Sequence, residues 1–106
     1  MLGELEQVVM LATLRLGDEG YGVTIQEAIL KATGRDLTLG TIHKTLTRLE
    51  AKGMIASRLG DSAPYRGGRR KRHYKVTPVG LRNLRASLNS LRRLAAGLAV
   101  GLETLS

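Results

Sequence analysis

Between Thr38 and Gly53 the chain reads TLGTIHKTLTRLEAKG, a stretch that leaves little freedom in how it folds. Leu39, Ile42, Leu46 and Leu49 recur at steps of three and four, which sets them on one side of a helix. Thr38 stands where an N-cap belongs and Gly53 where a helix stops. The opposite side carries Thr41, Lys44, Thr47, Arg48 and Ala51, with no acid among them. Such a face is small enough for the major groove of DNA and can donate to bases or phosphates. An ordinary amphipathic helix with a solvated face has the same pattern, so the neighbouring segments must decide.

A chain of 106 residues suggests one domain with a small core. Its 17 Lys plus Arg against 9 Asp plus Glu leave a formal charge of +8, which predicts attraction to polyanions. Nucleic acid is the first candidate and an anionic membrane surface the second. With no cysteine, a disulfide framework, a thiolate metal site and a cysteine nucleophile are all excluded. Three Tyr are the only aromatics, which argues against a single-strand binder built on base stacking. Glu4 and Glu6 stand where a signal peptide would carry basic residues, and no apolar run is long enough for a bilayer. The expectation is a soluble cytoplasmic protein with no membrane partner.

Leu2 to Leu16 reads as a first helix, with Leu5, Val8, Ala12 and Leu16 as one stripe. Met10, Leu11 and Leu14 put apolar groups on its other sides, so it wants more than one neighbour, and one of those can belong to a second protomer. Gly17-Asp18-Glu19-Gly20 is a turn. A second helix follows over Gly22 to Thr33, with Ile25, Ala28, Ile29 and Ala32 as its buried stripe. Gly34-Arg35-Asp36 breaks it, and Leu37 tucks back before Thr38. Two short helices around a tight turn have the outline of a helix-turn-helix with the second as reader, an outline that any antiparallel helix pair shares.

Met54 to Leu59 has strand length, Gly60 to Gly68 is rich in turn formers, and Arg69 to Val76 alternates as a returning strand. Arg66, Arg69, Arg70, Lys71 and Arg72 crowd around Gly67-Gly68. Like charges at this density repel unless a polyanion offsets them, although a solvated loop is the plainer reading of most charge runs. Beside a cationic helix face, the hairpin is expected to touch phosphates or the minor groove. The expected fold is mainly α: a winged helix-turn-helix over residues 1–77, its wing at 54–76, with a C-terminal dimerisation helix over 78–106.

Thr77-Pro78 marks the start of that last helix. Leu81, Leu84, Leu88, Leu91, Ala95, Leu98, Leu102 and Leu105 then keep a heptad seam. A seam this long outruns the domain before it, which favours a homodimer whose interface takes Leu5, Met10, Leu14, Leu84, Leu88, Leu91, Ala95, Leu98 and Leu102. A terminal helix folded back on its own domain is the alternative, and Gly97 and Gly101 lower helix propensity near its end.

The blocks GELEQVVMLATL, DEGYGVTIQEAI, LGTIHKTLTRLEAKGMI and GGRRKRHYKVTPVG together resemble the PadR-like transcriptional regulators, over Leu2 to about Leu94. The single helix after the wing is similar to the subfamily with a minimal C-terminal region. The resemblance implies a homodimeric DNA-binding repressor whose terminal helices pair, and a small-molecule effector at the dimer interface that relieves repression. Where that family's reading helix usually carries Tyr, this chain has His43. It also lacks the Trp with which some relatives sandwich flat ligands, so Leu, Met and Ala would line any cavity.

No catalytic constellation is visible. His43 and His73 lack metal-ligand spacing, no serine sits in a nucleophile motif, and Gly67-Gly68 leads into a strand rather than opening a helix. No enzyme activity, metal or cofactor is expected. The leading reading is a dimeric, sequence-specific binder of double-stranded DNA at a pseudo-palindromic operator. Thr41 and Lys44 are expected in the major groove, flanked by Thr38, His43, Thr45, Thr47 and Arg48, with Arg66, Arg69, Arg70 and Lys71 on the wing. The alternative is a winged-helix protein-interaction module that uses its heptad helix to hold a partner.

Overall fold

Each helix starts and stops where local chemistry permits. In the computed structural model, which describes residues 2–60 and 71–98, the order is α1 (Glu4–Leu16), a 3-10 turn (Gly17–Glu19), α2 (Gly22–Thr33), α3 (Leu39–Ala51), β1 (Ile55–Leu59), β2 (Arg72–Val76) and α4 (Pro78–Ala95). Thr38 caps α3 by accepting from the Thr41 amide at 3.1 Å, and Thr77 caps α4 by accepting from the Gly80 amide at 3.0 Å. Past α3, Gly53 takes φ 74°, a left-handed conformation that costs glycine least. The chain is thereby turned straight into β1.

The expected winged helix-turn-helix is present: three helices, an antiparallel hairpin, then the terminal helix. β1 and β2 pair in the register Ile55↔Val76, Ser57↔Tyr74 and Leu59↔Arg72. The core lies where α1, α2 and α3 meet the base of the hairpin. Val9, Met10, Ile25, Ile42, Leu46 and Leu49 have no solvent exposure, and Ile29, Ile55, Tyr74 and Leu84 join them. Leu37 packs against this cluster as expected.

Two expectations need correction. On α1 the buried residues are Glu6, Val9, Met10, Ala12 and Thr13; of the expected stripe Leu5, Val8, Ala12 and Leu16 only Ala12 is buried, the other three only partly. The shift is possible because both polar members are satisfied. Thr13 Oγ1 donates to the Val9 carbonyl at 2.7 Å, while Glu6 accepts from the Gly3 amide at 2.9 Å and from Lys52 Nζ at 2.8 Å. Second, α4 ends at Ala95, and Gly97 at φ 84° turns the chain aside before Leu98. The helical seam therefore keeps Leu81, Leu84, Leu88, Leu91 and Ala95, while Leu102 and Leu105 lie outside the described residues.

The root of α4 is seated tightly on the two residues that lead into β1. Thr77 donates through its amide to the Met54 carbonyl (3.0 Å) and through Oγ1 to that of Gly53 (2.7 Å). A methyl group placed on Gly80 would stand 2.1 Å from the Met54 carbonyl oxygen, so no larger residue fits.

Candidate nucleic-acid interface

With Ile42, Leu46 and Leu49 locked into the core, the far side of α3 has to face solvent. His43, Lys44, Thr47 and Arg48 are exposed there, and Thr41 is half-buried. Thr45, expected to flank this face, is buried at 2 % exposure. Its hydroxyl donates to the Thr41 carbonyl one turn back at 2.9 Å, which removes the cost of burying it and withdraws it from any ligand. The hydroxyl of Thr38 donates to that of Thr41 at 2.9 Å, so these two groups act jointly. Glu50 is the one acid of α3, and its carboxylate accepts from Ser57 Oγ (2.6 Å), which in turn accepts from Arg72 (3.0 Å). The acid is thus directed to the hairpin, away from Lys44.

α3 is joined to the wing by a junction that sequence reasoning did not find. The Tyr74 amide donates to the Gly20 carbonyl at 2.8 Å, which ties β2 to the segment before α2. A Cβ at Gly20 would come within 3.1 Å of the Tyr74 carbonyl oxygen, so the close approach depends on glycine. Lys75 Nζ pairs with Asp18 at 2.8 Å, and that hydrogen bond and charge hold the Asp18 carboxyl below its ordinary range. His73 Nδ1 lies 3.1 Å from the Asp18 carbonyl; because a carbonyl only accepts, this nitrogen carries the proton. The His73 ring meets Tyr21 edge-on, with centroids 5.6 Å apart at 72°. Tyr21 is followed by Gly22, which lies beside the His43 ring: a Cβ there would be in ordinary contact, 3.4 Å from His43 Nε2. One continuous surface runs from the reading helix through Tyr21-Gly22 to the wing. Its contacts of Lys71 with Tyr21 and of His73 with Asp18 span 50 and 55 residues of chain, so no local pattern announces them.

Lys71 is exposed at the end of β2, and the Gly60 amide donates to its carbonyl at 2.7 Å, extending the ladder by one pair. Arg66, Arg69 and Arg70 lie outside the described residues.

Of the residues expected at a dimer interface, Met10 and Leu84 are buried inside the protomer, at 0 % and 1 % exposure, and are withdrawn from it. Leu14, Leu91 and Leu98 are exposed, and Leu5, Leu88 and Ala95 are partly so. Leu11, Leu14, Leu81 and Leu88, with Arg85, Asn89 and Arg92, line an open groove between α1 and α4. Among the described residues no helix is long and apolar enough to cross a membrane.

The comparisons agree with this geometry. The profile described as the transcriptional regulator PadR-like family matches residues 10–86, most of the chain and all of the helix-turn-helix, hairpin and α4 root. This chain is a member of the PadR-like family. Among solved structures, a PadR family transcriptional regulator from Eggerthella lenta is 30% identical, with TM-score 0.69, covering 95% of this chain and 88% of that one. A PadR family regulator from Clostridium difficile is 26% identical, with TM-score 0.71 and coverage of 92% and 97%. The Aeropyrum pernix ORC1 protein in complex with DNA shares the fold at 20% identity and TM-score 0.63, over 88% of this chain and 26% of its own. No curated protein matches the sequence. As a PadR-like protein the chain has the fold of a DNA-binding transcriptional regulator.

Proposed function

We propose that this PadR-like protein is a cytoplasmic, homodimeric repressor that recognises a pseudo-palindromic operator in double-stranded DNA. The observation that carries the reading is the outer face of α3. His43, Lys44, Thr47 and Arg48 stand exposed on a helix whose other side is fixed in the core, and its one carboxylate is engaged elsewhere. Lys44 and Thr41 contact base edges, while Thr38, His43, Thr47 and Arg48 flank them on bases or phosphates. Lys71, with Arg66, Arg69 and Arg70, carries the wing contacts.

Dimerisation uses the apolar side of α1 and α4, through Leu5, Leu14, Leu88, Leu91, Ala95 and Leu98, together with the exposed Leu11 and Leu94. Two-fold symmetry then sets half-sites about one helical turn apart. A small-molecule effector binds in the α1–α4 groove, which is lined by leucines together with Arg85, Asn89 and Arg92. An apolar anion is the chemistry that such a site accepts.

The test is selection of bound fragments from a random duplex pool, followed by titration of wild-type protein and Lys44→Ala. The expected result is a selected site with two-fold symmetry, and a loss of roughly tenfold or more in its affinity for Lys44→Ala. Equal binding of cognate and random duplex by both proteins would overturn the assignment of α3 as reader.

A further inference from the structure

The two lysines of β2 and its edge are treated differently by the fold. Lys75 is neutralised by Asp18 at 2.8 Å. Lys71 has no carboxylate partner among the described residues, yet its ammonium is held in place. Its Nζ donates to the Tyr21 hydroxyl at 3.2 Å and lies 4.2 Å from the centroid of the same ring. The ring is steadied from the side by its edge contact with His73, which is itself bonded to the Asp18 carbonyl.

A phenol and a π-face position a cation without cancelling its charge. Freezing a lysine side chain forfeits rotamer entropy, and here part of that is lost before any ligand arrives. The Tyr21 oxygen accepts from Lys71, so its own O–H remains available as a donor. Lys71 keeps two further N–H donors. Three donors and one full positive charge thus converge on the outer side of one contact, and that set matches the oxygens of a phosphodiester. The position matters as much as the chemistry. Tyr21 adjoins Gly22, against which His43 of the reading helix lies, so the pair stands between reader and wing.

We propose that Tyr21 and Lys71 form a phosphate site for the DNA backbone, distinct from the base-reading face of α3 and from the tip of the wing. It rests on the DNA-binding reading and deepens it: Tyr21 is a contact residue that neither the charge pattern nor the reading-helix pattern singles out. The site is indifferent to sequence and fixes the angle at which α3 enters the groove.

The experiment is a salt titration of the full chain on mixed-sequence duplex DNA, with wild type, Lys71→Ala, Tyr21→Phe and the double variant. Lys71→Ala lowers the log–log salt slope by about 0.9 for each protomer engaged. Tyr21→Phe removes the hydroxyl and keeps the ring, so it leaves the slope unchanged and weakens binding roughly three- to tenfold. Because both groups serve one phosphate, the two losses do not add in the double variant. Lys71 is exposed, so its replacement tests the site with the fold intact. A wild-type slope in Lys71→Ala, or full affinity in Tyr21→Phe, overturns the proposal and leaves the DNA-binding reading standing. Wild-type protein that ignores duplex DNA at low salt overturns both.

Discussion

α3 and α4 are built to the same recipe and meet opposite fates. Each opens on a capping threonine and repeats leucine or isoleucine at steps of three and four. On α3 that repeat is spent inside the protomer, where Ile42, Leu46 and Leu49 are all fully covered. On α4 only Gly80 and Leu84 are buried, and exposure rises to 55% at Leu91 and 76% at Leu94. The pattern states that a side wants covering; the supply of neighbours decides whether the cover is internal. α1, α2 and the hairpin surround α3. α4 has its root on Gly53 and Met54, Leu84 in the core, and Leu91 and Leu94 left uncovered by the described residues.

Four variants probe this contrast. Leu46→Ala, in the covered helix, should cost about 2–5 kcal/mol in denaturant unfolding. A loss below about 1 kcal/mol would mean that the α3 core is looser than its burial implies. Gly80→Ala comes next, because its methyl group meets a backbone oxygen that cannot swing aside. It should destabilise by roughly 1–3 kcal/mol and release the start of α4, read as faster amide exchange at Thr77 and Met54.

Lys52→Ala sharpens the internal side further, because it strips a partner from the buried Glu6 carboxylate. Burial pushes that carboxyl up, but hydrogen bonds from Lys52 and the Gly3 amide, with the charges of Lys52 and Arg48, hold it below the ordinary glutamate value of 4.5. A depressed folded-state value stabilises above the unfolded one and is lost as pH falls through it. Wild type should therefore lose stability on acidification below pH 4.5, and Lys52→Ala should flatten that loss. At neutral pH the variant should cost about 1–2 kcal/mol, since Lys52 is itself part-exposed and well solvated.

The smallest effect on the protomer is expected at Leu91→Ser with Leu94→Ser. Helix content should be unchanged and intrinsic protomer stability altered by about 0.5 kcal/mol or less per site. Sedimentation should nonetheless move from dimer to monomer, which is where the open side of α4 differs in kind from α3.

Most elements were legible because their signals are local. Thr38, Gly53 and Thr77-Pro78 set the ends of α3 and the start of α4 through groups within four residues of each other. The α2 limits fell at Gly22 and Thr33 for the same reason. What escaped was anything decided by a distant neighbour. Thr45 looks like a contact residue until its hydroxyl is seen to bond its own helix, and Glu6 looks solvated until Lys52 arrives from 46 residues away. Met10 and Leu84 are apolar in the right register for a dimer and were simply taken by the protomer first. The exposure of Lys44 and Lys71 was readable from their charge; the contact of Tyr21 with Lys71 was not, because one tyrosine between a turn and a helix carries no pattern.

The bare α-carbon at residue 80 has a mechanical meaning. Where Gly80 meets Met54, backbone lies against backbone with no side chain between, so a tilt of α4 at that point cannot be absorbed by a yielding side chain and presses on Met54 and the foot of the wing. Force applied to the exposed far end of α4 thus works the long arm of a lever whose short arm ends at the hairpin.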